Sequence, residues 1–371
     1  MNSQTISLVR FPLAFAVVFI HCQGEVMRVT NWSEATVMDA YYTFKLIISS
    51  GIAQVAVPMF FFISGFLFFN KVEQLDRETY RTKLTKRVRS LLVPFILWNL
   101  LCIPLTLLVM YGESLSGSAS PERLHDYWSN INWPHLFWDA TAHDDSYVNL
   151  FGTKQLQAYP ILDTFWYVRD LIVMTLLTPL IYCLYKTMGK VGLLLVAACI
   201  VLRLWPYMTV TVHSLFFMLG CYWGMNHKEL YIGNKLTRRL NYLLTLALIL
   251  LLAYYQCDMS REGWLLMPLF RLSAIGTVFC LARNWLMRHP GFQFPSLLSR
   301  SGFFVYAIHI EFTLPLGFFI TKAIFHHTQQ PLLLTIQYVT TPIVVYLLSV
   351  LIFYAGERLL PKVTAALNGG H

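Results

Sequence analysis

Charge is scarce in this chain. Of 371 residues only 13% are charged, against about 25% in ordinary soluble domains, while 56% are hydrophobic. A soluble fold of this length has too little interior to hide so much apolar surface, so a soluble globular domain is excluded. Acidic residues are scarcer than basic ones, 19 against 28, leaving a net charge of +9. In a membrane chain such an excess marks cytoplasmic loops, so no nucleic-acid partner is expected. The seven cysteines are scattered and form no C-x-x-C pair. That argues against a disulfide framework and a zinc site, and no metal is expected. The first apolar stretch lacks both a basic n-region and a small-x-small cleavage site, so it is expected to stay as an uncleaved first span. Internal repeats and low-complexity tracts are also missing.

Long apolar runs are what the chain does have. Segments of membrane-spanning length predict ten spans near 4–23, 49–69, 90–111, 165–185, 190–205, 209–226, 240–257, 264–286, 302–325 and 331–356. The fold class expected is an all-α, polytopic transmembrane helix bundle forming a single domain over 1–371. With the N-terminus placed inside, eighteen Lys and Arg fall in inner segments and six in outer ones, the asymmetry of the positive-inside rule. Both termini are therefore expected in the cytoplasm. One long loop, about 112–164, falls outside. It is acidic (Glu113, Glu122, Asp126, Asp139, Asp144, Asp145, Asp163) and aromatic (Trp128, Trp133, Trp138, Tyr147, Tyr159). Its rings suit either an interfacial cap or a platform on which sugars stack.

Within Leu8–His21 of the first span only Arg10 and His21 are ionisable. Eleven residues at 100° each come to about 20° beyond three full turns, so both side chains share one face, roughly 16 Å apart along the axis. Lipid solvates neither, so this stripe must face protein or water. Further ionisable residues inside spans are Arg169, Asp170, His213, Arg271, His309, Glu311 and Lys322. Arg169 and Asp170 are helix neighbours pointing about 100° apart, so each is expected to need a partner on another helix. Lys322 lies near an outer end where it can snorkel, and His213 reads as a structural histidine. Ahead of the third span, Tyr80-Arg-Thr-Lys-Leu-Thr-Lys-Arg-Val-Arg89 is strongly basic. Such a cluster either fixes topology at anionic headgroups or docks a polyphosphate ligand.

Several pieces together resemble the membrane acyltransferase-3 family of bacterial envelope O-acyltransferases. They are the Arg-x10-His spacing of Arg10 and His21; Val57-Pro-Met-Phe-Phe-Phe-Ile-Ser-Gly-Phe-Leu67; Lys86-Arg-Val-Arg-Ser-Leu-Leu-Val-Pro94; Phe165-Trp-Tyr-Val-Arg-Asp-Leu-Ile-Val-Met-Thr-Leu-Leu-Thr-Pro179; Phe217-Met-Leu-Gly220; and Val305-Tyr-Ala-Ile-His309. The basic segment lacks two arginines at the i, i+3 spacing often seen there, which leaves open whether Arg87 or Arg89 matters.

The resemblance implies transfer of an acyl group, most often acetyl, from cytoplasmic acetyl-CoA or another acyl-CoA to a hydroxyl of an envelope glycan. The protein would be a multi-pass protein of the bacterial cytoplasmic membrane, with acyl-CoA as co-substrate, no tightly bound cofactor, and the bilayer and a hydroxyl-bearing acceptor as its other partners. Direct transfer to an alcohol needs a base and a donor for the developing oxyanion. His21 is the expected base, with Asp170 or Glu311 orienting it. Arg10 is expected to hold the donor, helped by Ser64, Lys86, Arg87, Arg89 and His309. Arg169 is expected to stabilise the oxyanion or bind the acceptor, with Trp166, Arg271 and Glu311 on the acceptor side. The other class open to a chain with these buried charges is a secondary transporter or a lipid-linked glycan flippase.

Overall fold

The computed structural model describes residues 2–29, 31–115, 126, 128–148, 154–204 and 212–370. Helix α1 runs Asn2–His21 with Pro12 inside it, a proline that membrane helices accommodate better than soluble ones. Helix α2, Val37–Lys45, starts on a capping box in which Thr36 and Asp39 satisfy each other's backbone N–H. It continues through a π segment, Leu46–Gly51, and one 3-10 turn into α3, Ala56–Phe69. Helix α4, Arg77–Arg87, is capped by Asp76, whose carboxylate accepts from the Thr79 N–H at 2.7 Å. A second π segment, Val88–Leu92, joins it to α5, Val93–Leu115. In the long connection that follows, β1 (Thr141–Val148) and β2 (Lys154–Tyr159) form an antiparallel hairpin with Thr141 opposite Tyr159.

Next come α6 (Trp166–Leu176), α7 (Thr178–Val201), α8 (Ser214–Met225), α9 (Lys235–Tyr254) and α10 (Arg261–Arg288). Helix α11, Ser296–Ile308, passes through a third π segment, His309–Thr313, into α12, Leu314–Ile324. Helices α13 (Pro331–Leu359) and α14 (Pro361–Leu367) close the chain.

Among the described residues, eight helical segments are long and apolar enough to cross a membrane, against the ten expected. The difference lies in the middle of the chain. The expected spans 165–185 and 190–205 fall on α6 and α7, which are separated only at Leu177, and α7 is broken at Gly189 (φ 52°, ψ −122°). A positive φ there costs glycine little. A Cβ on Gly192 would touch Tyr185 and Leu184, seven and eight residues back, so the chain folds over on itself at that point. The expected span 209–226 contains α8, whose 12 residues fall short of the usual spanning length.

Burial sorts centre from periphery. Of the most apolar window of Val37–Phe69, 72% is buried, against 17% of that of Lys235–Tyr254. Helix α3 is therefore the central element, and its neighbour is α8. A Cβ on Gly65 would collide with the Phe217 carbonyl, one on Gly220 with the Phe62 carbonyl, and one on Gly224 would lie 2.6 Å from the Phe66 carbonyl. Small residues let two membrane helices bring their backbones together, where dispersion contacts accumulate. Helix α1 packs against α3, α10, α11 and α13. The chain end folds back underneath: the Trp98 indole donates to the Leu367 carbonyl at 2.9 Å, and Asn368 bridges the Arg300 carbonyl (2.8 Å) and the Phe304 N–H (3.2 Å).

Candidate active site

The Arg10 face of α1 opens on a cavity of about 420 Å³. Ser7, Arg10, Ala14 and Val17 line it from α1. These positions recur at helical spacing, and the next on the same stripe is His21. Across from them, Arg87, Tyr167, Tyr306 and Asn368 complete the wall. Ser7 and Asn368 line the same cavity, so both ends of the chain meet at one end of the bundle.

Three guanidinium groups line this cavity; that of Arg300 is paired with Glu357 at 3.0 Å, which leaves those of Arg10 and Arg87. Arg87 donates to the Ser64 carbonyl at 3.2 Å, and the Arg10 guanidinium and the Tyr167 phenol are among its neighbours. Among the described residues, neither Arg10 nor Arg87 has a carboxylate partner. Two like charges held together without an acid make an anion site, because an anion removes their repulsion and supplies acceptors for both forks. The basic cluster resolves accordingly: Arg87 turns to the cavity, while Lys86 and Arg89 are exposed and do not line it.

At the other end of the stripe, the His21 and His309 rings lie 5.1 Å apart, centroid to centroid. His309 is fully buried on the π segment His309–Thr313. Its Nδ1 lies 2.7 Å from the Tyr306 carbonyl. A carbonyl only accepts, so Nδ1 carries the proton and Nε2 keeps its lone pair, with no partner among the described residues. The Tyr306 ring is 6.1 Å from His309 and 5.7 Å from Tyr167, so aromatic contacts run from the arginine cavity to the imidazole pair. The α1 lining ends at Val17, about 6 Å of helix rise short of His21.

Arg169 and Asp170 require a correction. They pair with each other: Arg169 Nε and Nη2 donate to Asp170 Oδ1 at 3.1 and 2.9 Å, both residues being buried. The expectation of partners on other helices followed the Cβ directions and ignored the reach of the arginine stem, which curls its fork back onto the adjacent carboxylate. Arg169 Nη1 also donates to the Trp138 carbonyl at 2.8 Å, and the guanidinium lies over the Trp138 ring at 5.2 Å. The pair therefore pins the long loop to α6. Asp170 is a charged neighbour of Tyr306, whose hydroxyl donates to the Thr164 carbonyl.

The other expected residues are placed as follows. Ser64 is buried with no partner for its hydroxyl among the described residues, while its neighbour Gly65 makes the α3–α8 contact. Trp166 packs on His213 at 5.7 Å. Arg271 donates to Gln54 Oε1 at 3.2 Å and, with Arg203, is a charged neighbour of His213. Glu311 shares the π segment with His309 and has Asp163 as its charged neighbour. In the long loop Trp128 packs on Trp133 at 4.7 Å. Glu122 lies outside the described residues, as do the side chains of Glu113, Asp144, Asp145 and Tyr147. Tyr167, Tyr306 and Asn368 were not singled out from sequence, although both tyrosines sit within the quoted motifs, Tyr306 three residues before His309.

The model of the acyltransferase domain that defines the acyltransferase 3 family matches residues 4–356. The chain belongs to the acyltransferase 3 family. Comparison with curated proteins and with solved structures found no match in either. Of the two classes left open by the buried charges, the transferase stands: this is a membrane acyltransferase. The matched range includes the Arg10 and His21 stripe, the Ser64-Gly65 segment and the Arg87 cluster.

Proposed function

We propose that this acyltransferase takes an acyl group, acetyl in the simplest case, from coenzyme A in the cytoplasm and delivers it to a hydroxyl of a glycan on the far side of the inner membrane. The observation that carries the reading is the cavity with two unneutralised arginines, Arg10 on the helix stripe leading to His21 and Arg87 across from it. Coenzyme A suits it, being an anionic phosphate ester with a thin arm ending in a thioester. Arg10 and Arg87 hold the phosphates. The arm lies along Ala14 and Val17, and the thioester passes the Tyr306 ring to reach the imidazole pair. The excess of Lys and Arg in the segments expected inside supports a cytoplasmic position for this cavity.

His21 takes the proton of the acceptor hydroxyl as its oxygen forms a bond to the thioester carbonyl carbon. The tetrahedral intermediate then collapses, the carbon–sulfur bond breaks, and the imidazolium returns its proton to the departing thiolate. His309, its tautomer set by the Tyr306 carbonyl, holds the His21 ring in place and keeps a lone pair at Nε2 available to it.

The test is binding and turnover together. Coenzyme A should raise the melting temperature of the purified protein, and Arg10→Ala or Arg87→Ala should remove most of that protection. His21→Ala should keep the protection and lose transfer. A wild-type protein indifferent to coenzyme A and acetyl-CoA refutes the reading.

A further inference from the structure

A second cavity, about 650 Å³, opens at the opposite end of α1. It begins at Cys22, the residue after the proposed base, and is walled by the end of α2, the end of α12 and the start of α13. Its volume falls within the ~300–1,000 Å³ typical of sites for small ligands. The arginine cavity reaches up α1 to Val17 and this one starts at Cys22, so His21 stands between them.

The lining is that of a site for polar molecules. Tyr41 and Tyr42 present half-buried rings whose centroids are 5.3 Å apart. The Lys45 ammonium sits over both, 5.0 and 5.8 Å from their centroids. Its Nζ donates to the Glu25 carbonyl at 2.7 Å, which uses one of its three N–H groups. Gln23 accepts from Ser50 at 3.0 Å through its amide oxygen, leaving its NH2 donors unused by that bond. Gln337 and Lys322 also line the space, and Glu25 is the only acid among the lining residues. Fixed ammonium and amide donors recognise anionic and hydroxyl oxygens, while flat rings cover the apolar faces of a sugar.

We infer that this cavity is the acceptor site, and that it takes a hydroxyl-rich saccharide carrying an anionic group, with Lys45 and Lys322 recognising the anion and Tyr41 and Tyr42 supporting the ring. The inference rests on the acyl-transfer reading, because it places the acceptor and the donor on opposite sides of His21. It also moves the acceptor away from the long loop, where Trp128 and Trp133 pack on each other and Trp138 lies under Arg169.

The experiment uses the full chain in detergent, titrated separately with coenzyme A, with an oligogalacturonide of defined length, and with a neutral malto-oligosaccharide of the same length. The oligogalacturonide should bind and the malto-oligosaccharide should bind at least tenfold more weakly. Lys322→Glu, a reversal at an exposed position where folding is not at risk, should weaken the oligogalacturonide about tenfold and leave coenzyme A unchanged. Tyr42→Ala should weaken both saccharides. If coenzyme A binds but the acidic saccharide shows no preference, or Lys322→Glu and Tyr42→Ala leave it unaffected, the acceptor assignment falls while the donor site stands. If phosphatidylglycerol nanodiscs alone give a signal that Lys322→Glu abolishes, the cavity belongs to a lipid headgroup and the inference is overturned. Loss of coenzyme A binding itself refutes the acyl-transfer reading instead.

Discussion

Arg10 with Arg87 and Arg169 with Asp170 are two groups of charge that follow different logic: the first pair faces a cavity, the second is buried. Arg10, Arg169 and Asp170 attract notice by the same rule, that lipid does not solvate an ion. Arg169 has a carboxylate at 2.9 Å, a backbone carbonyl at 2.8 Å and an aromatic face. Its charge is neutralised inside the protein and fastens a loop. The Arg10 and Arg87 guanidiniums face a cavity together, with no acid among the described residues and one backbone carbonyl accepting from Arg87. A charge whose partner is protein is architecture; one that faces a void beside another of the same sign waits for a ligand. The two groups should therefore break in different ways.

The largest effect is expected at the end of the stripe. General-base catalysis contributes about 10²–10⁴ in rate, so His21→Ala should lower transfer by that factor while the protein remains folded and protected by coenzyme A. If His21 and His309 act as one unit, the double variant should be little worse than the worse single one, and turnover of the three variants checks this. Additive losses would separate the two imidazoles.

Arg169→Ala comes next, and its readout is stability. Removing one partner of a buried pair leaves the other charge unmatched, at a cost of about 3–5 kcal/mol. The melting temperature should fall well below that of wild type, and replacing both Arg169 and Asp170 by apolar residues should recover much of it. Coenzyme A affinity per folded molecule should be unchanged. A loss of affinity in the folded double variant would join the two arginine groups that the structure keeps apart.

Arg87→Ala should do the reverse, with a modest change in stability and a loss of about ten- to a hundredfold in coenzyme A affinity, the worth of hydrogen bonds to a charged group. Arg87→Lys should recover only part, because a point charge does not reproduce the fork. Gly302→Leu gives a steric version of the same test. A Cβ at Gly302 meets only the Ala14 Cβ at 3.8 Å, so the larger side chain projects into the cavity and should exclude the ligand without disturbing the helices. Protection by coenzyme A in either variant, measured against wild type by thermal melting, decides the point.

Helical periodicity was enough to place Arg10 and His21 on one stripe, since that depends only on 3.6 residues per turn over an uninterrupted helix. It was not enough for His309, which sits where α geometry gives way to a π segment, and a rule built on 100° per residue does not see that step. The Arg169 and Asp170 pairing was missed because Cβ directions say nothing about how far a guanidinium curls. In the Ser64-Gly65 motif the glycine makes the helix contact. The partner of that glycine lay in plain view as Gly220 and Gly224, four residues apart, but nothing in the chain says which two helices will touch. In the middle of the bundle hydropathy saw more: the break at Gly189 falls between the expected spans 165–185 and 190–205. Asn368 was beyond reach altogether, because a polar residue after the last long helix becomes a cavity wall only once the chain turns back.

The smallest expected effect is the most discriminating for the basic cluster. Lys86 and Arg89 flank Arg87 and are exposed, and neither lines the cavity. If the cluster bound its ligand as a diffuse field, removing any of the three charges would weaken coenzyme A by a similar small factor, and the loss would shrink with salt. If Arg87 alone is a built contact, Lys86→Ala and Arg89→Ala should each change affinity by less than about twofold, within the ±0.5 kcal/mol usual for exposed substitutions, while Arg87→Ala stands apart at any ionic strength. Coenzyme A titrations of the three variants at low and high salt separate these cases. Equal, salt-sensitive losses would return the cluster to the role of a topology signal and leave the claim on the donor to Arg10, since Arg300 in the same lining is tied to Glu357.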